Sequence, residues 1–545
     1  MSIRSLRRRL LQQVLLCGIV GFLLPLTRAL LLRFPEPRGH DTFSYLLATD
    51  TFAHGQLTNP SPALPMFFDA PHILVEPTYQ SKYPPGGPLF MAFGQVVCGH
   101  PLWGIWLTSG LFGAAVCWML QTFGLHRWAV PMTIFFNSVL VTYSGIGFVY
   151  LPGLFTGASA ATFLGGMNQT LRRPSLGATT LLSLGVIGLA STRPFEGGLI
   201  CLGCLPGFLT WLIRDQRVNL SFKLRNALLP GMALVGTYAV CLGAYNQAVT
   251  GYWLKMPYSL HHQQYFHAGL FGFQEIRTPS RTVCPRIETT YRLFGSGPAP
   301  DALQFWRTRP RIGVERCCNS FSVALGIPEE SSAFWWISPF VVWGLADRRL
   351  RRYRLAIGLW FFGQSLTTWH HSWYAMPAVP LLYVSLTAVL QAATTRWRWR
   401  APGWLSELPM LRILLVASVF LISTAYFRPT LIRELIQRLR GRAPVAQWVV
   451  STKDHTSVSL TSREGLLQYL SMQEKPHLVF VDYSTDYNRH DEWVYNRADI
   501  ANSEIILAHD LGAEQNRELL ALFPDRTVWK LHIDSSGKTL KPWIP

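Results

Sequence analysis

Apolar runs long enough to form helices recur from the start of the chain to Phe427, separated by short polar joints. A helix crossing the hydrocarbon core of a bilayer needs roughly 20 mostly apolar residues. By that measure the runs at 10–32, 102–123, 127–150, 151–168, 175–192, 196–213, 227–249, 333–346, 355–370, 374–393 and 411–427 are eleven predicted spans. The run Gly86–Gly99 is apolar but too short to cross, which predicts a re-entrant or juxtamembrane helix. The first run follows Arg4, Arg7, Arg8 and Arg9 in the manner of a signal peptide. It exceeds a signal core in length and has no small-residue cleavage site before Arg33, so it is read as a retained span.

Beyond Phe427 the pattern changes to that of an ordinary soluble domain. A helical lead-in is predicted at Leu431–Leu439, buried strands at Leu478–Val481, Glu504–Leu507 and Thr527–Leu531, and helices at Ser462–Met472 and Glu514–Phe523. This alternation predicts a small α/β domain. The fold class is therefore a polytopic α-helical membrane domain over 1–427 with a C-terminal α/β domain over 428–545.

Composition agrees with this pattern. The 545 residues are 49% hydrophobic and only 14% charged, against roughly 25% charged in soluble domains. Aromatic content argues against disorder, and the glycine and cysteine counts argue against a collagen-like or disulfide-rich scaffold. The formal net charge of +19 is read through its distribution. Arg172 and Arg173, Arg214 with Arg217 and Arg225, Arg348 through Arg354, and Arg396, Arg398 and Arg400 all lie between adjacent predicted spans. Basic residues in short loops gather on the cytoplasmic side. That places the N-terminus inside, and 33–101, 251–332 and everything after 428 outside, in a multi-pass plasma-membrane protein. Divided among short loops, the charge forms no single stripe of the kind that binds nucleic acid. Cys201 and Cys204 form a CxxC, but within an apolar run, which suits a packing role. Cys284, Cys317 and Cys318 share an outer segment, where one disulfide is an open expectation.

Candidate chemistry gathers in the outer segments. Asp41 opens the stretch HDTFSYLLATDTFAHG, where Phe43, Leu46, Leu47, Thr51 and Phe52 suit an amphipathic helix at the membrane interface. As a first-turn acid it equally suits a helix N-cap. Arg193 is basic in a very short outer loop, against the charge bias elsewhere, either as an anion ligand or as a surface partner of Glu196. Glu492, Tyr495, Asn496, Arg497 and Asp499 of EWVYNRADI either bind an acceptor or build a turn with buried ion pairs, and structure is the favoured reading.

The spacing of Asp41, Tyr45 and Ala48 or Thr49, followed by Lys82-Tyr83-Pro84-Pro85 before a short apolar helix, resembles the GT-C integral-membrane glycosyltransferases. The branch is that of the protein O-mannosyltransferases and aminoarabinose transferases, and an uncharacterised bacterial group within it. The segments DTFSYLLATDTFAHGQLTNP, EPTYQSKYPPG, TRPFEG at 192–197, YNQAVTG at 245–251 and EWVYNRADI at 492–500 carry the resemblance at both ends of the chain. Many relatives have a second acid where this chain has Thr42.

The resemblance implies an inverting transfer from a polyprenyl-phosphate sugar to an acceptor glycan, lipid or protein at the outer membrane face. Asp41 would be the general base, and Lys82 and Arg193 would hold the donor phosphate. Tyr45, Glu76, Tyr83, Glu196, Tyr258, His261, His262, His371 and Tyr374 are candidate cavity residues. Some relatives use divalent metals, and His40, His54, His72, Glu76, His261, His262, His370 and His371 are the ligand candidates, without a fixed ligand spacing. Two other readings stand beside the enzyme. A transporter or flippase of lipid-linked glycans would carry mid-membrane charges and internal symmetry, neither of which is visible here. An inactive binding scaffold has only Thr42 in its favour.

Overall fold

The computed structural model describes residues 3–31, 35–37, 39–144, 150–275, 277–294, 302–325, 339, 341–398, 449–451, 458–460, 462–473, 476–488 and 491–543. Helix α1 (Ile3–Leu31) is followed by α2 (His40–Ala53) and a small antiparallel sheet of β1 (Asn59–Pro60), β3 (Thr78–Ser81) and β2 (Ile73–Leu74) in that spatial order. The helical body follows as α3 (Gly86–Cys98), α4 (Leu102–Thr122), α5 (His126–Ser144), α6 (Gly153–Arg172), α7 (Leu176–Ala190) and α8 (Pro194–Arg214). It continues through α9 (Leu220–Lys223), a π turn, and α10 (Leu229–Thr250). Helices α11 (Pro257–Tyr265), α12 (Pro285–Phe294) and α13 (Ala302–Ala324) precede α14 (Arg354–Leu366) and α15 (Val379–Arg398).

Among the described residues, four helices are long and apolar enough to cross a membrane: Arg4–Leu30, Leu102–Thr122, Pro194–Arg214 and Leu220–Thr250. The remaining predicted spans with described residues are helical but shorter or more polar. Helix α7 has 15 residues, or about 22 Å at 1.5 Å per residue. The predicted span 411–427 and the lead-in at Leu431–Leu439 lie outside the described residues, as do half of 333–346 and residues 145–149 of 127–150.

Small residues bring the helices together. A Cβ added to Gly104 would sit 1.8 Å from the Phe90 carbonyl oxygen, and one on Gly94 would sit 2.3 Å from the Gly104 nitrogen. Helix α3 therefore lies directly against α4. Its other side leaves Leu89, Phe93, Val96 and Val97 exposed, an apolar stripe at helical spacing.

The C-terminal domain has one six-stranded sheet in the order β4 (Val449–Ser451), β5 (Val458–Leu460), β9 (Lys538–Pro542), β8 (Thr527–Ile533), β6 (His477–Tyr483) and β7 (Ile505–His509). Strands β7, β6 and β8 are parallel, with His477 opposite both Ile505 and Thr527. The predicted strands and helices fall on these strands and on α16 (Arg463–Ser471) and α17 (Ala513–Leu522).

This domain shares a core with the first polar segment: Leu47, Phe67, Phe68, Ile73 and Tyr79 pack with Leu478, Phe480, Tyr495 and Ile506. The interfacial helix expected from Phe43 and Leu47 is thus corrected. Helix α2 buries that face against protein, with Phe43 stacked on Tyr495 at 4.4 Å and Leu47 2% exposed. All nine cysteines are free, so the disulfide left open among Cys284, Cys317 and Cys318 does not form.

Candidate active site

The site is built where α2, the β2–β3 hairpin and the starts of α6 and α8 meet. Gly39 is the N-cap of α2, and the cap makes no side-chain hydrogen bond. Asp41 lies in the first turn with its carboxylate turned to other partners, which removes the helix-cap alternative. The Tyr83 hydroxyl donates to Asp41 Oδ1, and His72 Nε2 lies 3.4 Å from the same oxygen.

His72 reaches that position from a backbone φ of 68°, the left-handed region that non-glycine residues rarely adopt. Such a conformation costs of order 1–3 kcal/mol and persists only where neighbours over-determine it. Here three hydrogen bonds do so. The His72 N–H donates to the Tyr291 hydroxyl at 2.8 Å. The His72 carbonyl accepts from the Lys82 N–H at 3.1 Å and from the Ser44 hydroxyl at 2.6 Å.

The same hairpin delivers Lys82, which is 4% exposed. Its ammonium lies over the rings of Tyr258 at 4.8 Å, Tyr83 at 5.1 Å and Phe266 at 5.5 Å. Burial pushes Lys82 down to about 7, with Asp41 opposing and Arg193 adding to the shift. Burial alone would raise the Asp41 carboxyl. His72, His40, Tyr83 and Lys82 outweigh it and hold Asp41 well below the usual carboxylate range. Burial, together with Lys82, keeps the His72 imidazole neutral at ordinary pH.

Arg193 immediately precedes α8, and its guanidinium stacks on Tyr374 at 3.9 Å. Glu196 follows in the first turn of α8, and it and Arg193 interact electrostatically, but Glu196 is buried, so the pairing is not the surface one expected. A cavity of about 40 Å³ is lined by Asp41, Tyr45, Tyr83, Arg193, His371 and Tyr374, with Thr156 and Trp373 on its walls. Tyr45 stacks on Tyr83 at 4.4 Å. Asp41 keeps 37% of its side chain accessible.

The structure thus brings together Asp41, Tyr45, Tyr83, Arg193, His371 and Tyr374, with Lys82 and Tyr258 against Tyr83. It does not bring in Glu76, which pairs with Arg281 at 2.6 Å. His262 stacks on Phe266, while His261 stacks on Tyr265 and lies 3.2 Å from the Tyr291 hydroxyl. Of the metal-ligand candidates, His40 and His72 join Asp41 with one donor atom each, all within 4.8 Å of one another. His54 follows α2 at its exposed end, and His370 contacts Ser320 and Gln364. Tyr291, the support of His72, has no local signal in the sequence, because 219 residues separate the two.

Glu492 and Asn496 of EWVYNRADI are structural, as favoured, while the exposed Arg497 lines a crevice beside α2. Glu492, 1% exposed, pairs with Arg286 at 3.0 Å, and the Asn496 amide bonds both backbone groups of Leu507. The Ala498 N–H donates to Asp50 of α2 at 3.0 Å. Thr42 is 2% exposed, so a second acid there would be a buried charge.

The chain matches no family model and no curated protein.

Proposed function

We propose that the chain is an inverting membrane glycosyltransferase, moving a sugar from a polyprenyl-phosphate donor to an acceptor hydroxyl or amine on an acceptor glycan, lipid or protein. One observation carries the reading. An ionised carboxylate, held by Tyr83 and His72, faces the same cavity as the Arg193 guanidinium, with the Lys82 ammonium beside it. Such a transfer needs a base for the acceptor proton and cations for the departing lipid phosphate. The nucleophile comes from the acceptor, so no enzyme serine or cysteine is required.

In this reading Asp41 accepts the acceptor proton, Arg193 and Lys82 neutralise the phosphate, and Tyr83 with His72 fixes the rotamer of Asp41. A divalent cation held by His40, Asp41 and His72 would add charge neutralisation at the leaving phosphate. The proposed setting is the plasma membrane, with eleven spans, the N-terminus cytoplasmic and the C-terminal domain outside. The exposed apolar stripe of α3 would meet lipid.

The test is incubation of purified protein with radiolabelled polyprenyl-phosphate sugars and membrane extract. Asp41→Asn should lower transfer by at least about 10²-fold while leaving donor affinity intact. Arg193→Ala should weaken donor binding by about tenfold or more. Undiminished transfer in Asp41→Asn would refute the base, and unchanged donor affinity in Arg193→Ala would refute the phosphate site.

A further inference from the structure

Helix α2 is a partition. Asp41 and Tyr45 line the active-site cavity on one face. On the opposite face Phe43, Leu46, Leu47 and Asp50 line a separate crevice of about 690 Å³, closed on its far side by α16 and the strand β7. The spacing is that of two faces of one helix. The crevice has the size of a ligand site.

It also has a direction. A second cavity of about 250 Å³ shares Pro37, Phe43, Arg463 and Glu464 with the crevice and reaches Gly39, the residue before His40 and Asp41. The two form a trough from the end of α3, at Gly99 and Pro101, to Gly39 at the N-terminus of α2, two residues before Asp41.

Its chemistry disfavours anions. Asp50, Glu464 and Glu504 line the crevice against Arg463 and Arg497. The Arg463 guanidinium is already engaged by the carbonyls of Trp493 and Tyr495, at 3.2 and 2.6 Å. What the trough offers is mixed. Gln468 and the exposed Arg497 both line it, an amide that can donate and accept beside a guanidinium that donates. Hydroxyl groups satisfy both, since each donates and accepts.

We infer that the trough seats an extended, uncharged oligosaccharide, so that the acceptor is a glycan of several units held by the C-terminal domain while one end reaches Asp41. This deepens the transferase reading and rests on it. The glycan is carried either by a membrane lipid or by a soluble polymer.

The experiment uses the full chain in phospholipid nanodiscs. The probes are fluorescent neutral hexasaccharides of glucose, mannose and galactose, free and alkyl-linked, and an anionic hexauronate. Donor binding is measured in parallel with a polyprenyl-phosphate sugar. At least one neutral hexasaccharide should bind. Leu467→Trp, which fills the crevice, should weaken it about tenfold, Gln468→Ala and Arg497→Ala severalfold, and Arg517→Ala, exposed on α17, not at all. Tighter binding of the alkyl-linked form assigns the glycan to a lipid, and equal binding assigns it to a polymer. No hexasaccharide binding, insensitivity to all three crevice variants, or preference for the hexauronate would overturn the inference. Glycan binding without donor binding or transfer would sink the transferase reading alone. Donor binding without glycan binding would sink only the trough.

Discussion

At the scale of the residue, Lys82 decides how the site responds to pH. A lysine is cationic below its pKa, and here burial brings that value down to about 7. In the proposed transferase, the Lys82 contribution to donor capture is therefore full below neutrality and lost as pH rises through about 7. The profile of kcat/KM for the donor, which reports the free enzyme, should fall above pH 7 with a slope approaching tenfold per unit. Lys82→Arg keeps its charge throughout and should remove this alkaline limb; a limb that persists in the variant assigns it to another group. Asp41 contributes no acid limb in the range around neutrality, because its neighbours hold it below the ordinary value of about 3.9. Asp41, Lys82 and Arg193 were visible in the sequence because each is odd in its local context: an acid beside a span, or a base in an outer loop. The role of His72 was not visible. It depends on a left-handed backbone held by Tyr291 from a distant segment, and local composition encodes no such contact.

At the scale of the element, the contact of α3 with α4 rests on two glycines. Gly104→Ala places a methyl group 1.8 Å from a backbone oxygen, where no side chain can give way. The expected cost is about 3 kcal/mol, read as a lower Tm in detergent with loss of donor binding. In the proposed topology the exposed stripe of α3 lies against lipid and the helix does not cross it. In a cysteine-free background, Gln56→Cys, exposed before α3, and His100→Cys, just after it, should be labelled by an impermeant maleimide from the same side as the C-terminal domain. Labelling from opposite sides would make α3 a span and reverse the orientation of every later helix. Helices with clear apolar runs were legible, and so were β6 and β7, whose buried cores read as continuous apolar stretches; β8 was placed correctly but is only part-buried, with Lys530 and His532 in it, not the buried strand expected. Strands β4, β5 and β9 were not. They are three to five residues long, and β5 is positioned by β9 from a distant segment, Val458 lying opposite Leu540, although β8 and β9 themselves form a local hairpin.

At the scale of the molecule, the sequence divides the chain at about residue 428, yet the sheet domain and the first polar segment share one core. Ion pairs reinforce the union. Glu492 with Arg286 ties the sheet domain to α12, and Asp69 with Arg281 ties the first segment to the second. Removing one partner of a buried pair leaves a stranded charge, at about 3–5 kcal/mol. Glu492→Ala leaves Arg286 in that position. Limited proteolysis should then release the sheet domain at protease levels the native chain survives, with transfer lost. Arg517→Ala, exposed on α17, serves as the control and should change neither.

The stack of Phe43 on Tyr495 and the bond from Ala498 to Asp50 join parts of the chain 452 and 448 residues apart. During synthesis the segment bearing Asp41 is made early, but it waits for almost the whole polypeptide before its supporting wall arrives. A stalled or truncated product therefore carries the reactive carboxylate without the surface that braces its helix. In the proposed transferase, completion of translation would be the condition for a braced Asp41, and donor lipid would be shielded from the half-made chain.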